Sequence, residues 1–509
     1  MGDDVSPAAN VAELASDAAR NWPEATALVD SSSELSLTWA QLDNAVNAAA
    51  ARLRDAEVSP GDRVVIRLPT SAAFAVCVFA VMRAGAIAVP ASPQAPAAEL
   101  RGLVGHSGAR VLISADGDDV EWPAAPGTVL GSPELGGEPV PTVPPVGGDE
   151  DIAMLCYTTA AKGAPRGVML SHRALLANVS QVGGLNPAPI THDDRVLVAI
   201  PLFHVYGLGL GLLQSTAVGA TAVLAERFDA RQALAECTRH QVTVLVGVPT
   251  MYSEFAVLPP AELADGLSTV RLLNSGAAPL HPKVLGAINE VTGLGVYEGY
   301  GLTETAPVLT STIVTGYPKP GSVGRPIPGV ELKLVGVDNA DVASPVPLDD
   351  EDPDDVLEED DVTGLVTVRG ANLFSGYWPD GADGPDKDGW FRTSDVGYLD
   401  ADGDLHLVDR VNDLIIVNGF NVYPHEVEAV IAELPEVAEV AVVGVMDERS
   451  GEAVKAIVVV KTAVALSEQQ VVEHCEAQLA RYKVPRTVEF ADELPHTAIG
   501  KLTRTSLRQ

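Results

Sequence analysis

Phe74-Ala75-Val76-Cys77-Val78-Phe79-Ala80-Val81-Met82-Arg83-Ala84-Gly85-Ala86-Ile87-Ala88-Val89 is the most apolar run of the chain. A membrane span needs about 20 consecutive apolar residues, and this run is shorter and interrupted by Arg83 and Gly85. It reads as a helix over residues 71–84, buried because it is apolar all round, running into a buried strand over 86–89. Working outward, Val64-Val65-Ile66-Arg67-Leu68, Val111-Leu112-Ile113, Arg195-Val196-Leu197-Val198-Ala199 and Val242-Thr243-Val244-Leu245-Val246 repeat the strand signal. They are short, β-branched and nearly continuous, as strands covered by helices on both faces are. A further helical pattern spans 230–240. This alternation predicts an α/β fold with parallel-type sheets packed by helices.

The composition shifts sharply after residue 338. Asp349-Asp350-Glu351-Asp352-Pro353-Asp354-Asp355 and Glu358-Glu359-Asp360-Asp361 make an acidic insertion over about 338–362, expected to be solvated and without structure of its own. It lacks the ligand spacing and central glycine of an EF-hand loop. A second boundary falls near Arg410. Beyond it, strand patterns at 414–417, 440–445 and 456–460 alternate with helical ones at 425–434 and 467–479. The expected organisation is a large N-terminal domain, 1–409, and a small α+β domain, 410–509.

The whole chain has 509 residues, a net charge of −36 and a pI near 4.5. Nucleic acid is excluded as a partner, because its phosphates would be repelled. The same field opposes any anionic ligand at long range, so an anion site here needs local donors. No lysine precedes Lys162. Cys77, Cys156, Cys237 and Cys475 are far apart, with no CxxC pair, so neither a metal site nor a disulfide is expected and a reducing, cytoplasmic compartment is. Met1-Gly2-Asp3-Asp4 has no basic or apolar signal region, and no transmembrane segment is expected.

Five stretches carry chemistry: Tyr300-Gly301-Leu302-Thr303-Glu304-Thr305, Ser275-Gly276-Ala277-Ala278-Pro279, Thr393-Ser394-Asp395, Asp409-Arg410 and Gly500-Lys501-Leu502. In order and spacing, from about residue 35 to 507, they resemble the adenylate-forming acyl-activating family, which includes acyl-CoA synthetases. The resemblance implies an ATP-, Mg²⁺- and CoA-dependent enzyme whose C-terminal domain is a mobile lid. It joins a carboxylic acid to ATP as an acyl-adenylate and passes the acyl group to a thiol. It also implies roles. Tyr300 and Gly301 lie against adenine, Gly276 and Ala277 border it, and Thr303 binds the α-phosphate. Glu304 is the metal ligand, in keeping with the preference of Mg²⁺ for one or two carboxylates plus phosphate oxygens. Asp395 accepts from the ribose hydroxyls, Arg410 donates to ribose or phosphate, and Asn412 stands at the hinge where Asp or Lys is usual. Lys501 is the catalytic cation, a long point charge suited to delivery by a lid.

The phosphate loop departs from the family form. Tyr157-Thr158-Thr159-Ala160-Ala161-Lys162-Gly163-Ala164-Pro165-Arg166-Gly167 keeps the frame but puts alanines in place of a glycine and a hydroxyl. Such loops cradle phosphates with backbone N–H groups and hydroxyls. Thr158, Thr159, Lys162, Gly163 and Arg166 remain the expected nucleotide contacts, with Lys162 and Arg166 adding charge where donors are lost. Pro201-Leu202-Phe203-His204-Val205-Tyr206-Gly207-Leu208-Gly209 resembles the acyl gate, making His204 a catalytic and gating residue. Gly207, Gly209 and Ala278 are expected to line a deep apolar pocket. No nearby Asp is placed to hold an amino group, so a fatty or other apolar acid is expected. Asn418-Gly419-Phe420 resembles the strand that faces CoA, through Gly419 and Phe420. Two alternatives stay open: an acyl carrier protein as acceptor, and a degenerate member that binds ligand with little or altered catalysis.

Overall fold

The structure is a computed structural model that describes residues 8–115, 127–158, 166–336, 363–410, 415–417, 420–422, 424–447, 451–461, 465–479, 481–497 and 502–508. The acidic insertion, Thr159, Lys162, Gly163, Asn412, Gly419 and Lys501 lie outside the described residues, as do the side chains of Arg410 and Phe420. The chain divides into two compact units, Met1–Glu331 with Arg369–Phe391, and Leu332–Val368 with Arg392–Gln509.

The apolar opening run forms the helix Ala72–Arg83, whose side chains are buried at nearly every position. Ser71 caps it by accepting the Phe74 N–H, which satisfies one of the donors that a helix start leaves open. The buried charge of Arg83 is met locally: its guanidinium donates to Asn47 Oδ1 at 2.8 Å, to Asp43 Oδ1 at 2.7 Å and to the Ala12 carbonyl at 3.2 Å. A buried charge without such partners would be too costly to keep. The chain then turns into the strand Ile87–Pro90, which lies in a six-stranded sheet between Arg63–Arg67 and Ile152–Thr158. Its strands run parallel except for the last pair, where Ile152–Thr158 and Arg166–Ser171 form an antiparallel hairpin.

A nine-stranded sheet completes the first unit. Its central run, Val296–Gly301, Leu272–Ser275, Val244–Gly247, Arg195–Val198, Thr221–Leu224 and Thr26–Asp30, is parallel throughout. Antiparallel strands close both edges: Leu35–Thr38 on one side, Val308–Ser311 and Arg325–Pro326 on the other. The parallel strands are buried at almost every position, such as Val244–Gly247 and Thr221–Leu224, because helices cover both faces. In open α/β sheets ligands bind beyond the carboxyl ends of parallel strands, so that edge is where a site is to be sought.

The second unit holds a four-stranded sheet containing Trp390–Leu399 and Leu405–Arg410, and a five-stranded sheet built on the long hairpin of Val437–Asp447 and Gly451–Val460. Helices Pro424–Ile431 and Glu468–Glu476 pack on the latter through Val427, Ile431, Val471 and Cys475. Among the described residues no helix is long and apolar enough to cross a membrane.

Candidate active site

The loop after Leu272–Ser275 makes a tight turn with Ala277 in the left-handed region at φ 70°. Gly276 in that loop lies against the Tyr206 ring, which a Cβ there would approach to 2.9 Å. Tyr206 is buried, donates its hydroxyl to the Gly247 carbonyl at 3.3 Å, and is held protonated by burial. Two residues earlier, His204 accepts the Tyr206 N–H at Nδ1 (3.2 Å). The segments following three neighbouring parallel strands are thereby tied together, and His204, Gly276 and Ala278 fall in one region.

Gly207 and Gly209 lie in close contact with neighbouring loops. A Cβ at Gly207 would sit 2.7 Å from the Pro201 carbonyl oxygen, and one at Gly209 would sit 2.7 Å from Pro307 Cδ. The space freed by the missing side chains is filled by protein. These glycines let the π-helical segment Gly207–Leu213 settle on its neighbouring loops, and they open no pocket in that direction.

Val296–Gly301 ends in the Tyr300–Thr305 stretch, where residues Thr303–Thr305 form one short 3₁₀ turn. Gly301 is dictated by contact, since a Cβ there would meet the Pro307 carbonyl oxygen at 1.8 Å. Asn372, fully buried, donates to the carbonyls of Thr305 (2.8 Å) and Val308 (3.2 Å), and Asn178 donates to Val308 O at 2.8 Å. Together these hold the turn that presents Thr303 and Glu304. Beneath the neighbouring loop, buried Glu298 accepts the Leu280 N–H at 3.0 Å. Burial raises its pKa to about 7.

Thr158 and Arg166 pair directly across the antiparallel hairpin, so Arg166 stands at the mouth of the phosphate loop. Its guanidinium lies 3.6 Å from the Tyr377 ring centroid and pairs with Asp383 at 2.5 Å. Tyr377 donates its hydroxyl to Glu304 Oε1 at 2.6 Å. The phosphate-loop cation and the carboxylate of the Tyr300–Thr305 stretch therefore share one aromatic side chain. Sequence reading passed over Asn372 and Tyr377, whose only signal was an aromatic pair, Tyr377-Trp378, after a glycine. In the second unit, Asp395 is buried in Trp390–Leu399 and its backbone pairs with Arg410.

The family model for AMP-binding enzymes matches residues 15–378, and that for the AMP-binding enzyme C-terminal domain matches 426–501. The chain belongs to the AMP-binding enzyme family. Along 96% of its length it is 37% identical to a feruloyl-CoA synthase from Amycolatopsis sp, covering 97% of that protein. Over 93% of its length it is 33% identical to a long-chain-fatty-acid–CoA ligase of Escherichia coli O157:H7, covering 90% of it. Among solved structures it resembles the o-succinylbenzoate coenzyme A synthetase of Bacillus subtilis in complex with ATP and magnesium ion. The TM-score is 0.83 and the identity 28%, over 97% of this chain and 99% of that one. The protein is an acid–thiol ligase of the adenylate-forming, acyl-CoA synthetase type, acting through an acyl-AMP. ATP and CoA are its co-substrates.

Proposed function

We propose that this ligase activates a fatty or other apolar carboxylic acid and delivers it to CoA in the cytoplasm. The observation that carries this reading is the convergence of His204, Gly276, Ala278, Thr303 and Glu304 at the carboxyl ends of one parallel run of strands, with Arg166 linked to Glu304 through Tyr377. The four free, buried cysteines accord with a reducing compartment. The named acids of the relatives, feruloyl and long-chain fatty, are apolar along most of their length.

In the first half-reaction the acid's carboxylate attacks the α-phosphorus of ATP and pyrophosphate leaves. Glu304 is one carboxylate on an otherwise uncharged turn, and a single carboxylate completed by phosphate oxygens and water suits Mg²⁺. Bound there, the ion would neutralise phosphate charge. Thr303 would donate to the α-phosphate, and Thr158, Thr159, Lys162, Gly163 and Arg166 would hold the departing pyrophosphate. Tyr300, Gly301 and Ala277 would flank adenine, with Asp395 and Arg410 on the ribose. Lys501, in a lid domain beginning at Arg410 and hinged at Asn412, would bridge the carboxylate and α-phosphate. In the second half-reaction the CoA thiolate attacks the acyl carbonyl, AMP leaves, and Gly419 and Phe420 would face the pantetheine arm. His204 would gate the acyl site.

The test is ATP-dependent pyrophosphate release across a panel of carboxylic acids, with CoA, with an acyl carrier protein, and with neither. Release that depends on an apolar acid and turns over with CoA is expected. Release that turns over only with an acyl carrier protein would overturn the CoA assignment, and silence across the panel with folded protein would overturn the activity.

A further inference from the structure

Residues 374–378 join the two halves of the candidate ATP site through the backbone. On one side Ser375 donates to the Met169 carbonyl (2.9 Å), Met169 to that of Gly376 (3.1 Å) and Trp378 to that of Gly167 (2.7 Å). This pairs the segment antiparallel alongside the strand Arg166–Ser171. On the other side the Phe374 N–H donates to the carbonyl of Glu304 itself, at 2.9 Å. Gly376, at φ 97°, bends between these contacts where a Cβ would strike the Gly381 carbonyl at 2.2 Å. The Phe374 ring braces that of Tyr377 edge-on at 5.0 Å and that of Phe391 at 4.9 Å. The Tyr377 ring is therefore fixed by backbone and packing on every link.

We infer that Tyr377 is a positioning residue for adenylation, its hydroxyl aiming the Glu304 carboxylate and its ring face seating the Arg166 guanidinium. The inference rests on the proposed roles of Glu304 as metal ligand and Arg166 as phosphate cation. A phenol donating to a carboxylate at 2.6 Å is a short, charge-assisted bond. It occupies one oxygen and leaves the other to bind, which is how outer partners orient metal-ligating carboxylates. The cation is also matched to its seat. A planar guanidinium stacks on an aromatic face and forks toward a carboxylate, which an ammonium does not do, and Arg166 does both with Tyr377 and Asp383. The family's lysine is replaced by arginine at the position where this ring and this aspartate receive it.

The test measures metal binding directly, by electron paramagnetic resonance of Mn²⁺ titrated into the full chain with ATP, for wild type, Tyr377→Phe, Glu304→Gln and Arg166→Lys. Tyr377→Phe keeps the ring and removes only the donor. It is expected to weaken Mn²⁺ binding about 10-fold, the low end for losing a ligand's orienting partner. Transfer to CoA from supplied acyl-adenylate should stay at the wild-type rate, because that half-reaction uses no pyrophosphate site. Arg166→Lys is expected to weaken ATP several-fold at unchanged Mn²⁺ affinity. Wild-type Mn²⁺ affinity in Tyr377→Phe, beside clear loss in Glu304→Gln, would overturn this inference and leave the metal reading standing. Wild-type affinity in Glu304→Gln would remove the metal reading and the inference with it.

Discussion

Glu298→Gln should stabilise the protein at alkaline pH and do progressively less as pH falls. Glu298 sits in Val296–Gly301, 5% exposed, with Oε2 accepting from Leu280 and Oε1 without a hydrogen-bond partner among the described residues. Desolvation outweighs the one backbone hydrogen bond and lifts the pKa from 4.5 to about 7. The folded protein thus holds this proton more tightly than the unfolded chain does. Below pH 4.5 both states are protonated and the carboxyl imposes no penalty. Between 4.5 and 7 stability falls as pH rises, and above 7 the full penalty applies. At roughly 1.4 kcal/mol per pKa unit the penalty is about 3 kcal/mol. Glutamine keeps an acceptor for Leu280 and never ionises. Urea unfolding followed by tryptophan fluorescence, run on both proteins from pH 5 to 9, gives the stability difference at each pH. Groups that titrate identically in the two proteins cancel. The variant's advantage should grow by about 3 kcal/mol across that range, most of it before pH 8. A difference that stays constant with pH would refute the claim that burial governs this carboxyl.

Gly301→Ala should lower Tm, because the new methyl must displace the Pro307 carbonyl it would meet at 1.8 Å. Overpacking of this kind costs about 1–3 kcal/mol, and an unchanged melting curve would show that the turn gives way freely. Lys501→Ala should abolish acyl-adenylate formation while sparing thioester formation from supplied acyl-adenylate. Equal loss in both half-reactions would defeat its assignment. Restoring Gly and Thr at Ala160 and Ala161 should raise the single-turnover adenylation rate if the loop is short of donors. A rate that stays level or falls would show that Lys162 and Arg166 suffice.

Much of the scaffold was legible because burial leaves a local imprint. The helix expected at 230–240 is Ala230–His240, capped by Asp229, and the strand expected at 195–199 is Arg195–Val198. In the second unit the expected 467–479 helix is Glu468–Glu476, with Ser467 and Gln470 forming a capping box. Boundaries moved where hydrogen bonding, not hydropathy, ends an element. Val242 and Thr243 read as strand, yet the strand is Val244–Gly247, and Thr243 instead spends its hydroxyl on Asp194 at 2.7 Å. The π-helical Gly207–Leu213 was not legible either, since glycines alternating with leucines describe no single period and its packing partners are remote in sequence.

The sequence by itself determined the α/β class and the family, and it nominated the charged groups proposed for the chemistry. Hydrophobic periodicity, caps and the order and spacing of Tyr300–Thr305, Asp395 and Lys501 are all read from position along the chain. Tertiary structure decided which groups meet in space. The reach of Tyr377 across 73 positions to Glu304, the seat it offers Arg166, the carbonyl that forbids a side chain at Gly301 and the burial that raises the pKa of Glu298 depend on contacts between distant segments. Electrostatic and steric energies depend on distance in space, and separation along the chain carries no record of it.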